Sequence, residues 1–453
     1  VCDRDDDCSE LANPDQSDAD LDGIGDACDA DYDQDGRVGA SDFNLLRQAW
    51  ASISIDARYR LALDSDSDGS VGRDDLRALQ RRFGRAPGPS GLGCAGSVPC
   101  TPSDAEPLPN IVLIISDDQG YRDFGFMGSR VIQTPNLDRL AEQGVVFSTG
   151  YSTETICRPV LRSLLTGLYP HQWTDRVSAL QSRGVQREEW GEVLDFQTLP
   201  RLLAQRGYAS FESGKYWEGT FDMGGFDRGM SAVLDRSFGG MAGGEGLAIG
   251  RTTMEPVFEF LEQQVDRPFL LWFAPLLPHL PHDPPPEALA RYEGLGLPAP
   301  VQRYYGNISR LDDAVGLLVA KLEELGLRER TLIAFIVDNG WDQPQTDLPE
   351  DWRGGLGGPK GKATLFDLGF RTPIVLNWRG HVPEGVVLPQ PVSAVDLFAT
   401  LLGYAGIRPS SHRDGVDLRP RIEGRDPAAV RAAIVGPSNF NFLFLRDERW
   451  HYV

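Results

Sequence analysis

The sequence predicts an α/β sandwich with a mainly parallel central sheet, preceded by a small acidic loop-and-helix module. Three observations carry that expectation. From Asn110 onward, short apolar runs alternate with segments of helical periodicity, the order expected of parallel strands joined by crossover helices. Two of those runs end in oxygen-rich residues: Ser116-Asp117-Asp118-Gln119-Gly120 and Val337-Asp338-Asn339-Gly340. Ahead of Asn110 the acidity is concentrated. Of a net charge of −22, −13 falls in the first 36 residues, where fourteen acidic side chains face Arg4 alone.

That N-terminal acidity is periodic. Asp-x-Asp-x-Asp-Gly occurs three times, and each copy has a further Asp at its twelfth position. The residues are Asp18, Asp20, Asp22 and Asp29, then Asp31, Asp33, Asp35 and Asp42, then Asp64, Asp66, Asp68 and Asp75. Oxygen ligands at positions 1, 3, 5 and 12 around a Gly at position 6 are what a Ca2+ loop requires. Amphipathic helices are expected after the second and third loops, over Phe43 to Trp50 and Leu76 to Phe83. The second loop follows the first directly, so no helix fits before it. These are loop–helix units 33 residues apart. Cys8 with Cys28, and Cys94 with Cys100, are spaced for small disulfides, which points to an oxidising compartment and secretion or a cell-surface location. Residues 86–109, rich in Pro, Gly and Ser, read as a linker stiffened by the second disulfide.

In the large domain, strands are expected over Ile111–Ile115, Ala209–Phe211, Phe269–Ala274, Leu332–Val337 and Pro373–Leu376. Helices are expected over Asn136–Gln143, Thr198–Gln205, Met254–Gln264, Tyr304–Leu325 and Ser393–Tyr404. Active sites of such sheets lie beyond the carboxyl ends of the strands. Three carboxylates and an amide, Asp117, Asp118, Asp338 and Asn339, suit a hard cation such as Ca2+ or Mg2+. A zinc pair would want histidines, and none adjoins these motifs. So acidic a chain is a poor general nucleic-acid binder. Its longest apolar run, Phe269 to Leu277, has nine residues against the roughly 20 of a membrane span.

Asn110-Ile-Val-Leu-Ile-Ile-Ser-Asp-Asp-Gln-Gly-Tyr121, Thr134-Pro-Asn-Leu-Asp-Arg-Leu-Ala141, Cys157-Arg-Pro159, Leu164-Leu-Thr-Gly-Leu-Tyr-Pro-His171, Val337-Asp-Asn-Gly340 and Lys362-Ala-Thr-Leu-Phe-Asp-x-Gly-x-Arg371 together resemble the sulfatase family, of the alkaline-phosphatase-like superfamily. The resemblance implies an alkaline-phosphatase-like catalytic domain over residues 110–453. It implies a Ca2+ site at Asp117, Asp118, Asp338 and Asn339, and formylglycine formed from Cys157. It further implies sulfate-binding lysines at Lys215 and Lys362 and a proton-donating His279; His282, three residues on, and Arg162 are further candidate substrate contacts read from their positions. Only four of the 44 basic residues are Lys, which fits a specific demand for ammonium groups at some of these positions. The family's maturation motif has Arg where Leu161 stands, with Arg162 one residue late. Its Lys-x-His pair appears as Lys215-Tyr-Trp217, where a ring could stack on a sugar or aryl group.

Residues 1–29 resemble a thrombospondin type 3 repeat through Asn13-Pro-Asp-Gln16 and the following loop, with Cys2 paired in a preceding repeat. Residues 30–85 resemble a dockerin, implying a cohesin-like protein or surface scaffold as partner. Phe442 to Val453 resembles the strand opening the family's small C-terminal sheet, a subdomain expected to be incomplete. The expected activity is hydrolysis of a sulfate ester, in a sulfated carbohydrate or aryl sulfate. The alternatives are a phosphodiester or phosphonate-ester hydrolase on the same fold, and an inactive glycan-binding relative.

Overall fold

The computed structural model describes residues 7–8, 18–90, 95, 108–187, 189–232, 244–264, 267–342, 361–407, 412–426, 431–437, 443–447 and 449–452. Cys2, Asn13 to Gln16, Cys94, Cys100, Lys360 and most of the expected linker lie outside the described residues.

The first strand, β1 (Asn110–Ser116), lies between parallel neighbours and is buried along its whole length because both faces of the sheet are covered there. Next come β2 (Val145–Tyr151), β3 (Ala209–Gly214), β4 (Arg228–Gly229), β5 (Phe269–Ala274), β6 (Thr331–Val337), β7 (Arg371–Asn377), β8 (Val386–Leu388) and β9 (Val392–Ser393). The sheet order is β4-β3-β5-β1-β6-β7-β2-β8, with β9 also pairing β2. All pairings are parallel except those of β7, which runs against both β6 and β2. The mainly parallel expectation holds, with one reversed strand.

Successive β1 side chains alternate between two cores. Ile111, Leu113 and Ile115 join one cluster, and Val112 and Ile114 the other. The first face is covered by α4 (Cys157–Thr166), α6 (Leu199–Ala204) and α9 (Ala394–Tyr404). The second is covered by α3 (Pro135–Glu142), α7 (Glu255–Glu262) and α8 (Ala299–Glu324). The long helix α8 begins five residues before the sequence expectation, because Pro300 sits in its first turn, where a missing N–H costs nothing.

At the N-terminus, α1 (Ala40–Ala49) and α2 (Arg73–Arg82) follow the second and third acidic loops and share a small core with Val38, Tyr59 and Leu63. Cys8 and Cys28 form a disulfide. At the other end, β10 (Ala433–Pro437), β11 (Leu443–Asp447) and β12 (His451–Tyr452) make a three-stranded antiparallel sheet. The single strand expected over Phe442 to Val453 is instead two, since Asp447 closes a turn by accepting the Arg449 N–H at 2.7 Å. Among the described residues no helix is long and apolar enough to cross a membrane.

Candidate active site

Four adjacent parallel strands, in the order β3-β5-β1-β6, deliver the site at their carboxyl ends. The register Ser116↔Val337 puts Asp117-Asp118 beside Asp338-Asn339. Lys215 follows β3, anchored by its N–H to the Ala274 carbonyl at 2.6 Å. The preceding Gly214 is required: its φ is +95°, and a Cβ there would lie 2.0 Å from the Ala274 oxygen. Asp118 itself holds φ +59°, a left-handed conformation that Asp tolerates better than most residues and that often marks functional sites.

Cys157 is the first residue of α4 and is buried. Its Sγ lies 3.7 Å from Asp118 Oδ1 and 3.9 Å from Asp117 Oδ1. Lys362 Nζ approaches Sγ at 3.2 Å and Asp118 Oδ1 at 2.6 Å. The loop carrying it is pinned by Lys362 N–H to Trp341 O and Ala363 N–H to Thr155 O. Lys215 Nζ donates to both Asp117 oxygens at 2.7 Å and stands 3.5 Å from Asp338 Oδ2. His279 donates Nδ1–H to the Leu280 carbonyl at 2.7 Å, which turns Nε2 towards Asp118 Oδ2 at 3.4 Å.

The electrostatics are those of a cation pocket. One donor atom each from Asp117, Asp118, Asp338 and Cys157 lies within 4.8 Å of the others. Burial and then Asp117 push the Asp338 carboxyl up to about 8. Burial also works against the Asp117 carboxylate, but Lys215, His279 and Lys362 together outweigh it and hold that group below its usual range. Burial followed by Asp338 pushes the Cys157 thiol well above its ordinary value. Asp338 Oδ2 and Asn339 Oδ1 are buried and accept no hydrogen bond among the described residues. Buried carboxylate and amide oxygens left without a hydrogen bond fit Ca2+ or Mg2+.

The other expected residues are arranged differently. Trp217 lies with its ring 5.7 Å from Lys215 Nζ, within cation–π range. His282 packs on the Tyr304 ring, and burial followed by His279 lowers its pKa to about 4, so it is neutral at pH 7. Leu161 faces the core, only 2% exposed. Arg162, about 100° further round α4, donates to Glu218 at 2.7 and 3.2 Å and to Glu192 at 3.1 Å, and stacks on Trp173. Its guanidinium is engaged by those two carboxylates. Arg158 shares Glu218 at 2.9 and 3.3 Å. Glu218 and Arg158 thus tie the Lys215 loop to the Cys157 helix. Nothing in the sequence signalled this, because the partners lie about 60 residues apart.

In the acidic loops, carboxylates of Asp18, Asp20 and Asp22, of Asp31, Asp33 and Asp42, and of Asp64, Asp66 and Asp75 converge. Asp29, Asp35 and Asp68 stand outside these three groups and bond instead to the backbone N–H of Asp31, Arg37 and Ser70. Burial raises Asp18 and Asp29 to about 8, Asp64 to about 7 and Asp22 to about 6.

Residues 109–407 match the family model described as Sulfatase. The chain is 31% identical over 375 residues to the N-acetylgalactosamine-6-sulfatase of Canis lupus familiaris, covering 74% of this chain and 68% of that enzyme. To arylsulfatase A of Homo sapiens it is 32% identical over 377 residues, 73% of this chain and 71% of the relative. The solved structure of Ps i-CgsB in complex with k-i-k-neocarrahexaose superposes with a TM-score of 0.62 at 26% identity, covering 76% of this chain and 83% of that one.

Proposed function

The chain belongs to the sulfatase family of sulfuric ester hydrolases, and from that premise we propose a secreted, Ca2+-dependent enzyme that removes sulfate from a sulfated glycan through a formylglycine at Cys157. The observation that carries this reading is the convergence of Lys215, Lys362 and His279 with three carboxylates around the Cys157 side chain. Asp117, Asp118, Asp338 and Asn339 would hold the cation, whose charge would polarise the sulfate oxygens. Cys157 matured to formylglycine would supply an oxygen nucleophile at the start of α4, whose positive end favours an anionic substrate. Lys215 and Lys362 are both held protonated by neighbouring carboxylates, chiefly Asp117 and Asp118 respectively, against the opposing effect of burial, and their ammonium groups stabilise charge on the transferring group. His279, with Nε2 directed into the site, donates the proton to the leaving oxygen.

A saccharide ester is favoured by the names of the relatives, one an N-acetylgalactosamine-6-sulfatase and one solved with neocarrahexaose. Trp217 adds an aromatic face beside Lys215 for a sugar ring. The Cys8–Cys28 disulfide supports secretion. The three convergent acid groups support Ca2+ binding by a thrombospondin type 3-like segment over residues 1–29 and a dockerin-like unit over 30–85, the latter with a cohesin-like partner. Rates on matched sulfate and phosphate esters test the activity: faster sulfate release supports it. Faster phosphate release, or saccharide binding without turnover, refutes it. Loss of a captured cohesin-like partner on chelation tests the docking role.

A further inference from the structure

The N-terminal unit is seated on the catalytic domain through its own residues 53–61. Gln197 N–H donates to Ile55 O at 2.8 Å and Ala57 N–H to Asp195 O at 3.3 Å, pairing Asp56 with Phe196 in a short antiparallel bridge. The buried Gln197 amide donates to the carbonyls of Ala57 and Tyr59, and Gln205 Oε1 accepts Leu61 N–H at 2.8 Å. Arg176, on the helix α5 (Pro170–Ser182), pairs with buried Asp56, and Arg206 donates to the Asp18 carbonyl. Leu61 packs against both the small N-terminal core and the large one, so the two cores meet through one side chain. Tyr59 ties this seat to the third acidic loop by donating its hydroxyl to Asp64 at 2.6 Å.

The strip that receives the seat also holds α4. Glu192 Oε2 accepts Arg162 at 3.1 Å and the Trp173 indole N–H at 3.2 Å. The Gln197 carbonyl accepts from buried Arg413 at 3.3 Å, and Arg413 in turn donates to Thr166 O, at the last residue of α4, at 2.7 Å. A cation on the final carbonyls also complements the helix dipole. The strip 192–197 is therefore clamped on one side by the N-terminal unit and on the other grips the helix whose first residue is Cys157.

We infer that the N-terminal unit is a positioning element for α4: seating residues 53–61 on 195–197 fixes the strip, and the strip fixes the nucleophile helix. The inference takes the role of Cys157 from the function proposed above, but the coupling itself is measured without turnover. Peptide-resolved hydrogen exchange on the full chain, comparing wild type with Arg176→Ala and Gln197→Leu, reads it directly. Exchange should quicken about tenfold or more in 53–61, in 192–197 and in 157–166 together, and stay unchanged in β1. Arg176→Lys, which keeps the ion pair, should restore the wild-type pattern. If either variant fails to fold, Tyr59→Phe loosens the seat from its own side and should give the same pattern more weakly. Faster exchange in 53–61 with 157–166 unchanged overturns the inference. For a hydrolysed aryl sulfate, Arg176→Ala should lower kcat while leaving KM within twofold; an unchanged kcat also overturns it. An inactive wild type with coupled exchange would defeat the proposed activity alone.

Discussion

Replacing Glu218 with alanine removes a carboxylate, 1% exposed, on which two arginines converge. Arg158 and Arg162 reach it through four contacts between 2.7 and 3.3 Å. Breaking a fully buried pair from one side costs about 3–5 kcal/mol. Both arginine side chains here are 17% exposed and Arg162 keeps Glu192, so solvent and the second partner recover part of that. A loss of about 2–3 kcal/mol follows, read from the urea midpoint of the catalytic domain at unchanged slope. The same carboxylate fixes the loop bearing Lys215, so turnover should fall by about 100-fold, the scale of a misplacement near 1 Å. Glu218→Gln, which keeps the shape and one acceptor, should lie between alanine and wild type. A stability within about 0.5 kcal/mol of wild type for Glu218→Ala, or full turnover, would refute the reasoning.

Lys362→Met should lower kcat/KM on an aryl sulfate by about 100-fold or more, since the ammonium lies 3.2 Å from the Cys157 sulfur. A loss under fivefold would exclude a role on the transferring group. Chelator-treated protein should lose stability as pH rises from about 4 to about 8, a window set by the raised carboxyls of Asp338, Asp18 and Asp29. The sign follows because these groups stay protonated when folded at pH values where the unfolded chain has released its protons. Added Ca2+ should flatten that slope, and thermal melts at pH 5 and 8 with and without the ion measure it. Protein produced without maturation should carry a Cys157 thiol that iodoacetamide labels at least tenfold more slowly at pH 8 than the denatured chain, because burial and Asp338 disfavour the thiolate.

The two strands that build the cation pocket were legible because burial on both faces leaves an uninterrupted apolar run, Ile111–Ile115 and Leu332–Val337, followed at once by carboxylate-bearing loops. The same logic missed β2. Its Ser148 and Thr149 are half-buried and interrupt the apolar run, and its pairing with β7 shifts register between Phe147 and Gly150. The reversed direction of β7 could not be read either, since apolar pattern carries no strand polarity. Among site residues, Asp117, Asp118, Asp338, Lys215 and Lys362 converge because each sits at or near a strand end or on a pinned loop. Arg162 was legible as an anomaly but not as an ion-pair partner of Glu218. The seat of residues 53–61 was least visible of all: part of it pairs backbone with backbone, and its side-chain partners, Arg176, Gln197 and Gln205, lie 120 or more residues away along the chain.

The mass of the Cys157 peptide from the natively matured protein tests the central claim most directly. The account predicts a species about 18 Da lighter than the thiol form, the change from thiol to aldehyde, accompanied by sulfate release. A plain thiol in protein that releases no sulfate would contradict it.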